Sequence, residues 1–318
     1  MKIKKKLLSA VLAITLVASF SISANAIGYE SIQQIKGKDR YATASGIAGQ
    51  MGSYDSVILV NADGSMLADG LSASGLAGAI KAPILLVHKD SIPNETQLRI
   101  DIAKNIYIIG SENSISSNLE HKLRDENMGG FNVKRIGGKN RFETSSNVAR
   151  EILSVKGSIG KTFVANGYGG EADAMSISAV AARDGEPIIL TNGRNLDNAS
   201  ANIVEQTKNI YAIGGRNNIT PGLVSSLGAK RISGENRYFT NVAVINEFYK
   251  EPPTRYYLSD GYKLVDALTG GPLAGRNISP IVLVGPNNNK SVLNGAKELV
   301  ALGGIPESVL RKCAEASN

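Results

Sequence analysis

Short apolar runs return along this chain at nearly fixed intervals. Residues 56–60 (Ser-Val-Ile-Leu-Val) form one, and residues 161–165 and 255–259 repeat it. A second set, with proline in second place, spans 82–87, 186–191 and 279–284. A third set ends on glycine, at 106–110, 210–215 and 299–304. Such runs, rich in β-branched residues and without polar alternation, suit strands covered on both faces, as in a parallel sheet. Proline at the first strand position is where a sheet tolerates it. Stretches rich in Ala, Ser and Gly lie between the first and second runs, at 71–80, 174–183 and 267–276. They read as helices whose small side chains permit close approach to a sheet or to another helix. A further helix leads to each third run and a short one follows it, with Thr220-Pro221 a good cap and first-turn pair. The order is βαβαβαβα, three times over, which predicts an α/β fold with parallel sheets.

Each unit opens on the same motif, Ile-x-Gly-x-[Asp/Asn]-Arg-[Tyr/Phe]-x-Thr, at Ile35–Thr43, Ile136–Thr144 and Ile232–Thr240. Its arginines, Arg40, Arg141 and Arg237, are 101 and then 96 residues apart. Asp39, Asn140 and Asn236 stand where a helix N-cap would be. Glu143 falls three residues after Asn140, completing a capping box. The arginine and the aromatic residue are then the first two helical positions. With Gly129-Gly130 and Leu227-Gly228 as punctuation, the chain divides into residues 1–26, 27–130, 131–228 and 229–318. No long polar linker separates the units, so they are expected to pack on one another.

Residues 1–26 read as a secretory signal peptide: Lys2, Lys4, Lys5 and Lys6, an apolar run, then Ala24-Asn25-Ala26. The run is short for a membrane span, and no second one follows. Removing those four lysines takes the net charge from +7 to +3, which permits an acidic partner but does not argue for nucleic acid. The single cysteine, Cys313, excludes an internal disulfide and a cysteine-rich zinc site. His88 and His121 are the only histidines, and neither has metal-ligand spacing. No cofactor or catalytic set is apparent, and the chain reads as a non-enzyme.

The threefold motif, the Ala-Asp before the small-residue helix, the Pro-Ile-Leu-Leu strand and the Tyr-x-Ile-Gly-Gly strand together resemble the cell-wall-binding repeat 2 family. The resemblance covers residues 31 to 311. It implies Toprim-like α/β modules set as a pseudo-threefold triangle. It also implies a secreted surface protein held non-covalently on an anionic wall polysaccharide or teichoic-acid-like polymer, with surface-layer proteins as further partners. A separate effector domain is not evident. The chain departs from its own pattern in three places: Gln34 replaces the arginine of the other copies, Ser111 replaces glycine, and the third module is shortened. A wall hydrolase and an adhesin or surface-layer component are the competing classes.

Two sets of residues are candidates for ligand binding. Arg40, Arg141 and Arg237 recur together with Asp69, Asp173 and Asp266. They read either as a charge-assisted clamp on phosphate or carboxylate or as structural ion pairs between Arg and Asp. A junction between modules could accommodate both. Asn61, Asn166 and Asp260, with Asp63 and Tyr262, lie in turns after the first strand, at the carboxyl end of a parallel sheet, where α/β proteins commonly bind ligands. Ordinary turn chemistry explains them equally well.

Overall fold

A computed structural model describes residues 27–64, 66–125 and 130–318. The signal-peptide reading concerns residues outside these. Among the described residues, twelve strands form three four-stranded sheets in which every pairing is parallel. In chain order the strands are β1 (Gln33–Ile35), β2 (Ser56–Asn61), β3 (Ile84–Val87), β4 (Asn105–Ile109), β5 (Asn132–Ile136), β6 (Lys161–Asn166), β7 (Ile188–Thr191), β8 (Asn209–Ile213), β9 (Lys230–Ile232), β10 (Arg255–Asp260), β11 (Ile281–Val284) and β12 (Glu298–Leu302). The helices are α1 (Arg40–Gly49), α2 (Ala73–Ala79), α3 (Asn94–Ile100), α4 (Ser117–Arg124), α5 (Arg141–Lys156), α6 (Glu171–Asp184), α7 (Asn198–Glu205), α8 (Pro221–Ser226), α9 (Arg237–Phe248), α10 (Val265–Arg276) and α11 (Glu307–Ser317). The α/β class and the parallel sheets follow the apolar runs. The prolines 83, 187 and 280 stand just before their strands rather than inside them, and their carbonyls accept from Ile58, Phe163 and Tyr257.

The sheets are ordered β3-β2-β4-β5, β7-β6-β8-β9 and β11-β10-β12-β1. The strand carrying each motif isoleucine therefore completes the sheet of the module before it. For the first module that partner is the last, so β1 lies beside β12, with Gln33 opposite Val300 and Ile35 opposite Leu302. The ring closes further where Ile27 donates to Asn318 Oδ1 at 2.7 Å. At each closure a strand-end glycine N–H donates to the motif isoleucine carbonyl at 2.9 Å: Gly110 to Ile136, Gly214 to Ile232 and Gly303 to Ile35.

The small-residue helices α2, α6 and α10 pack together at the centre. A Cβ on Gly78 would overlap the Ala182 carbonyl, so no larger residue fits that contact. Ser74, Ser178 and Gly271, equivalent positions on the three helices, meet there. Helix α2 is shorter than the pattern predicted. It follows a 3-10 turn at Gly70–Ser72, and its two glycines weaken it as a helix. One core cluster runs through all three modules, from Leu76 to Phe163, Val180, Leu268 and Leu302. Burial of this shared apolar surface holds the triangle together.

Candidate functional site

The motif is a device for starting a helix at a junction. Asp39, Asn140 and Asn236 cap α1, α5 and α9, each accepting from backbone N–H groups of the first turn. The motif threonine reaches back: Thr43, Thr144 and Thr240 accept from the N–H of Gly37, Gly138 and Gly234 at 3.0, 3.1 and 3.1 Å. A Cβ on Gly37 would overlap Ala42, which explains the glycine. Glu143 accepts from Lys139 N at 2.9 Å, one residue earlier than the capping box predicts.

Each motif arginine then crosses to the turn after the first full strand of its own module. Arg40 Nη1 donates to the Ala62 carbonyl at 2.7 Å and Arg237 Nη1 to that of Gly261 at 2.7 Å, while Arg141 does the same to Gly167. Two of them also lie over a tyrosine ring, Arg141 on Tyr168 at 4.5 Å and Arg237 on Tyr262 at 4.4 Å. Among the described residues none of the three forms an ion pair within 4.0 Å. The direct Arg–Asp pair that the sequence left open is thus absent. The aspartates are nonetheless neighbours, each facing the arginine of the following module.

Burial raises the pKa of Asp69, against the pull of the nearby Thr144 and Ser114 hydroxyls and the Arg141 charge. Burial likewise raises Asp173, opposed by Asn218, Thr240 and Arg237. Asn218 Nδ2 donates to Asp173 Oδ2 at 2.6 Å. Asp266 is pushed up to about 6 by burial, only partly offset by Lys263 and Arg40. The arginines therefore supply a field across the junction, while their hydrogen bonds go to backbone carbonyls.

Asn61 and Asn166 spend both ends of their amides on the backbone. Asn61 accepts from Asp63 N at 2.6 Å and donates to the Ser114 carbonyl. Asn166 accepts from Tyr168 N at 2.7 Å and donates to the Asn218 carbonyl at 2.6 Å. They tie the turn after the first strand to the loop after the third. Asp260 accepts from Tyr262 N at 2.8 Å and Lys263 N at 3.2 Å. All three thus hold the turn after the first strand of their module.

Two clefts are lined by motif arginines, Arg237 in both and Arg141 in one. One, of about 550 Å³, lies at the junction of the second and third modules, between Asp173, Arg216, Asn218, Glu235, Arg237 and Tyr262. The other, of about 410 Å³, lies where all three modules meet. Its apolar floor includes Leu71, Met175 and Leu268, and Arg141, Glu171 and Arg237 line it. Arg231 lies near Arg216, donating to the Gly214 and Ile219 carbonyls at 2.7 and 2.6 Å. Burial, and after it the nearby Arg216 charge, lowers its pKa. Its counterpart Arg135 is neutralised by Glu120 at 2.6 Å.

Sequence reasoning missed Arg216, Asn218 and Tyr168. The loop after β8 that carries the first two has a same-length counterpart in the first module, with Glu112 and Ser114 in their places, and a shortened one in the third, so the repeat did not single them out. Tyr168 was visible beside Tyr262 as a paired aromatic in equivalent turns. Among the described residues no group of three or more His, Cys, Asp or Glu could hold a metal ion. Nor is any described helix long and apolar enough to cross a membrane.

The family described as cell wall binding domain 2 (CWB2) matches residues 34–120, 135–224 and 231–309. Among solved structures, Cwp8 from Clostridium difficile superimposes with a TM-score of 0.81 at 34% identity, over 91% of this chain and 52% of that one. Cwp6 from the same organism gives 0.82 at 31% identity, over 90% of this chain and 47% of that one. Among curated proteins, the chain is 29% identical over 280 residues to the N-acetylmuramoyl-L-alanine amidase LytC of Bacillus subtilis (strain 168), covering 86% of this chain and 54% of that protein. It is 32% identical over 257 residues to the amidase enhancer of the same strain, covering 78% of this chain and 34% of that protein. The chain thus spans little more than half of either curated relative at most.

Proposed function

Because the chain belongs to the cell wall binding domain 2 family, we propose that it is a surface protein whose three modules bind a phosphate- or carboxylate-bearing wall polymer. The contact site is the cleft between the second and third modules, extended by the three-way cleft. One observation carries this reading: Arg216, Arg231 and Arg237 gather at one junction, and none of them forms an ion pair within 4.0 Å among the described residues. A guanidinium held by a carbonyl and stacked on a ring keeps its charge and its remaining N–H donors for an anion. Glu235 and Glu171 at the rims would select against very dense negative charge. Weak contacts at successive clefts would add through avidity along a repeating polymer. In this reading the chain is exported to the wall and acts there as a binding module rather than as a catalyst.

The test is sedimentation of the full chain with native walls and with walls stripped of anionic polymer by acid. Binding should fall on stripped walls and with rising salt. Arg216→Ala should weaken binding roughly tenfold, the worth of one charge-assisted contact, with an unchanged circular dichroism spectrum. Equal binding to stripped walls would rule out the anionic polymer as ligand.

A further inference from the structure

One place in each module is filled in three different ways. It lies between the motif aromatic, the turn after the first full strand of the module, and the first residue after the proline-led strand. In the first module Tyr41 Oη donates to Asp63 Oδ1 at 3.1 Å. His88 Nδ1 lies 3.0 Å from that hydroxyl and 2.5 Å from the carboxylate. This cluster closes the space. In the second module Phe142 packs edge-to-face on Tyr168 at 5.3 Å. In the third, Gly285 stands where His88 stands in the first, and the Tyr238 ring lies so close over it that a Cβ would overlap the phenol oxygen. The space left is an open cleft of about 460 Å³ between Tyr238, Phe239, Tyr262 and the loop Pro286–Asn289.

This cleft has no charged lining residue. The one cation of its loop, Lys290, turns inward, and its ammonium donates to the Gly285 carbonyl at 2.8 Å and to Asn288 at 3.0 Å. Asn288 is spent holding the loop, accepting also from Gly285 N at 2.8 Å. Asn287, by contrast, is exposed, and its amide has no hydrogen bond among the described residues. Exposed Phe239 offers a ring face beside it, and Tyr262, one face of which carries Arg237, is exposed as well. Aromatic faces with neutral amide donors and acceptors suit a ligand with an apolar C–H face and a rim of hydroxyls. The volume lies in the range of small-molecule sites.

We propose that this cleft of the third module binds a neutral pyranose ring. Asn287 bonds its hydroxyls, and Phe239 and Tyr262 cover its apolar face. A neutral ring needs no cation, although the site borders the arginine clefts and shares Tyr262 with them.

Saturation-transfer NMR on the full chain tests this, with methyl glucoside and methyl N-acetylglucosaminide as neutral probes and glucose 6-phosphate as the charged one. At least one neutral probe should receive saturation. Asn287→Ala should weaken its binding roughly fivefold, as for one lost hydrogen bond, and Phe239→Ala should weaken it further, both with unchanged circular dichroism. Asn287 is exposed and unbonded, so its variant remains informative even if Phe239→Ala disturbs the fold. No transfer to either neutral probe, transfer unchanged in Asn287→Ala, or preference for glucose 6-phosphate would each overturn the proposal.

Discussion

At the junction of the second and third modules a buried carboxylate has an amide to hold it. At the junction that closes the ring its counterpart has none. Asp173 receives Asn218 Nδ2 at 2.6 Å. That asparagine comes from a loop in which four residues separate Gly214 from Ile219. In the third module only Gly304 separates Gly303 from Ile305, and the side chain that would satisfy Asp266 is missing. The closing junction is also the one joined only by non-covalent contacts between the chain's two ends, β1 on β12. The same aspartate is thus a satisfied scaffold element at one junction and a poorly solvated charge at the other. Loop length, rather than the repeated motif, makes the difference.

The largest expected effect follows from Asp266. Its unfolded carboxyl titrates near 3.8 and its folded one near 6. Between those values the folded state holds the proton that the unfolded state has lost, so stability is full below the lower value and falls as pH rises to the upper one. At neutral pH the cost is up to about 3 kcal/mol. Asp266→Asn should therefore raise stability at neutral pH by up to that amount and flatten the pH dependence, as read from urea unfolding at a series of pH values. A variant that is less stable than the parent at neutral pH would show that Asp266 works as an anion and that the closing junction is not the strained one.

A smaller and opposite effect is expected at the other junction. Asn218→Ala leaves Asp173 buried without its donor and should cost about 2 kcal/mol at neutral pH. Part of that loss should return on acidification, because the Asp173 pKa is already raised by burial and the protonated carboxyl needs the amide less. A loss that is equal at all pH values would mean that Asn218 matters only through loop packing.

The contrast between the junctions explains what could be seen in the sequence. The α/β class, the strands and the N-caps Asp39, Asn140 and Asn236 were legible because they depend on local periodicity and on side chains acting within one turn. The recurrence of Asp69, Asp173 and Asp266 with the arginines was legible as an association, and the structure sets them facing each other. The acceptor of each arginine was not legible, since a turn carbonyl carries no side-chain signature. The handing of each motif strand to the preceding sheet was equally hidden. A three-residue strand such as β1 looks the same whichever edge it joins. The role of Asn218 was hidden because Ser114 stands at its position in the first module and the third module lacks the loop, so no second asparagine marked the place.

The smallest expected effect separates the junctions by their aromatic partners. Arg237 lies 4.4 Å over the Tyr262 ring and Arg141 4.5 Å over Tyr168. In the first module Asp63 occupies the equivalent turn position and is engaged with Tyr41 and His88. Arg40 is left with the Ala62 carbonyl, a bond that a single ammonium could also make. Arg40→Lys should therefore be nearly neutral for stability. Arg237→Lys forfeits the planar stack and should cost about 0.5–1 kcal/mol. A double-mutant cycle pairing Arg237→Lys with Tyr262→Leu isolates that stack by urea unfolding, and its coupling energy should match the difference between the two lysine variants. If the coupling is zero, the tyrosine only borders the cleft, and the two junctions hold their arginines in the same way.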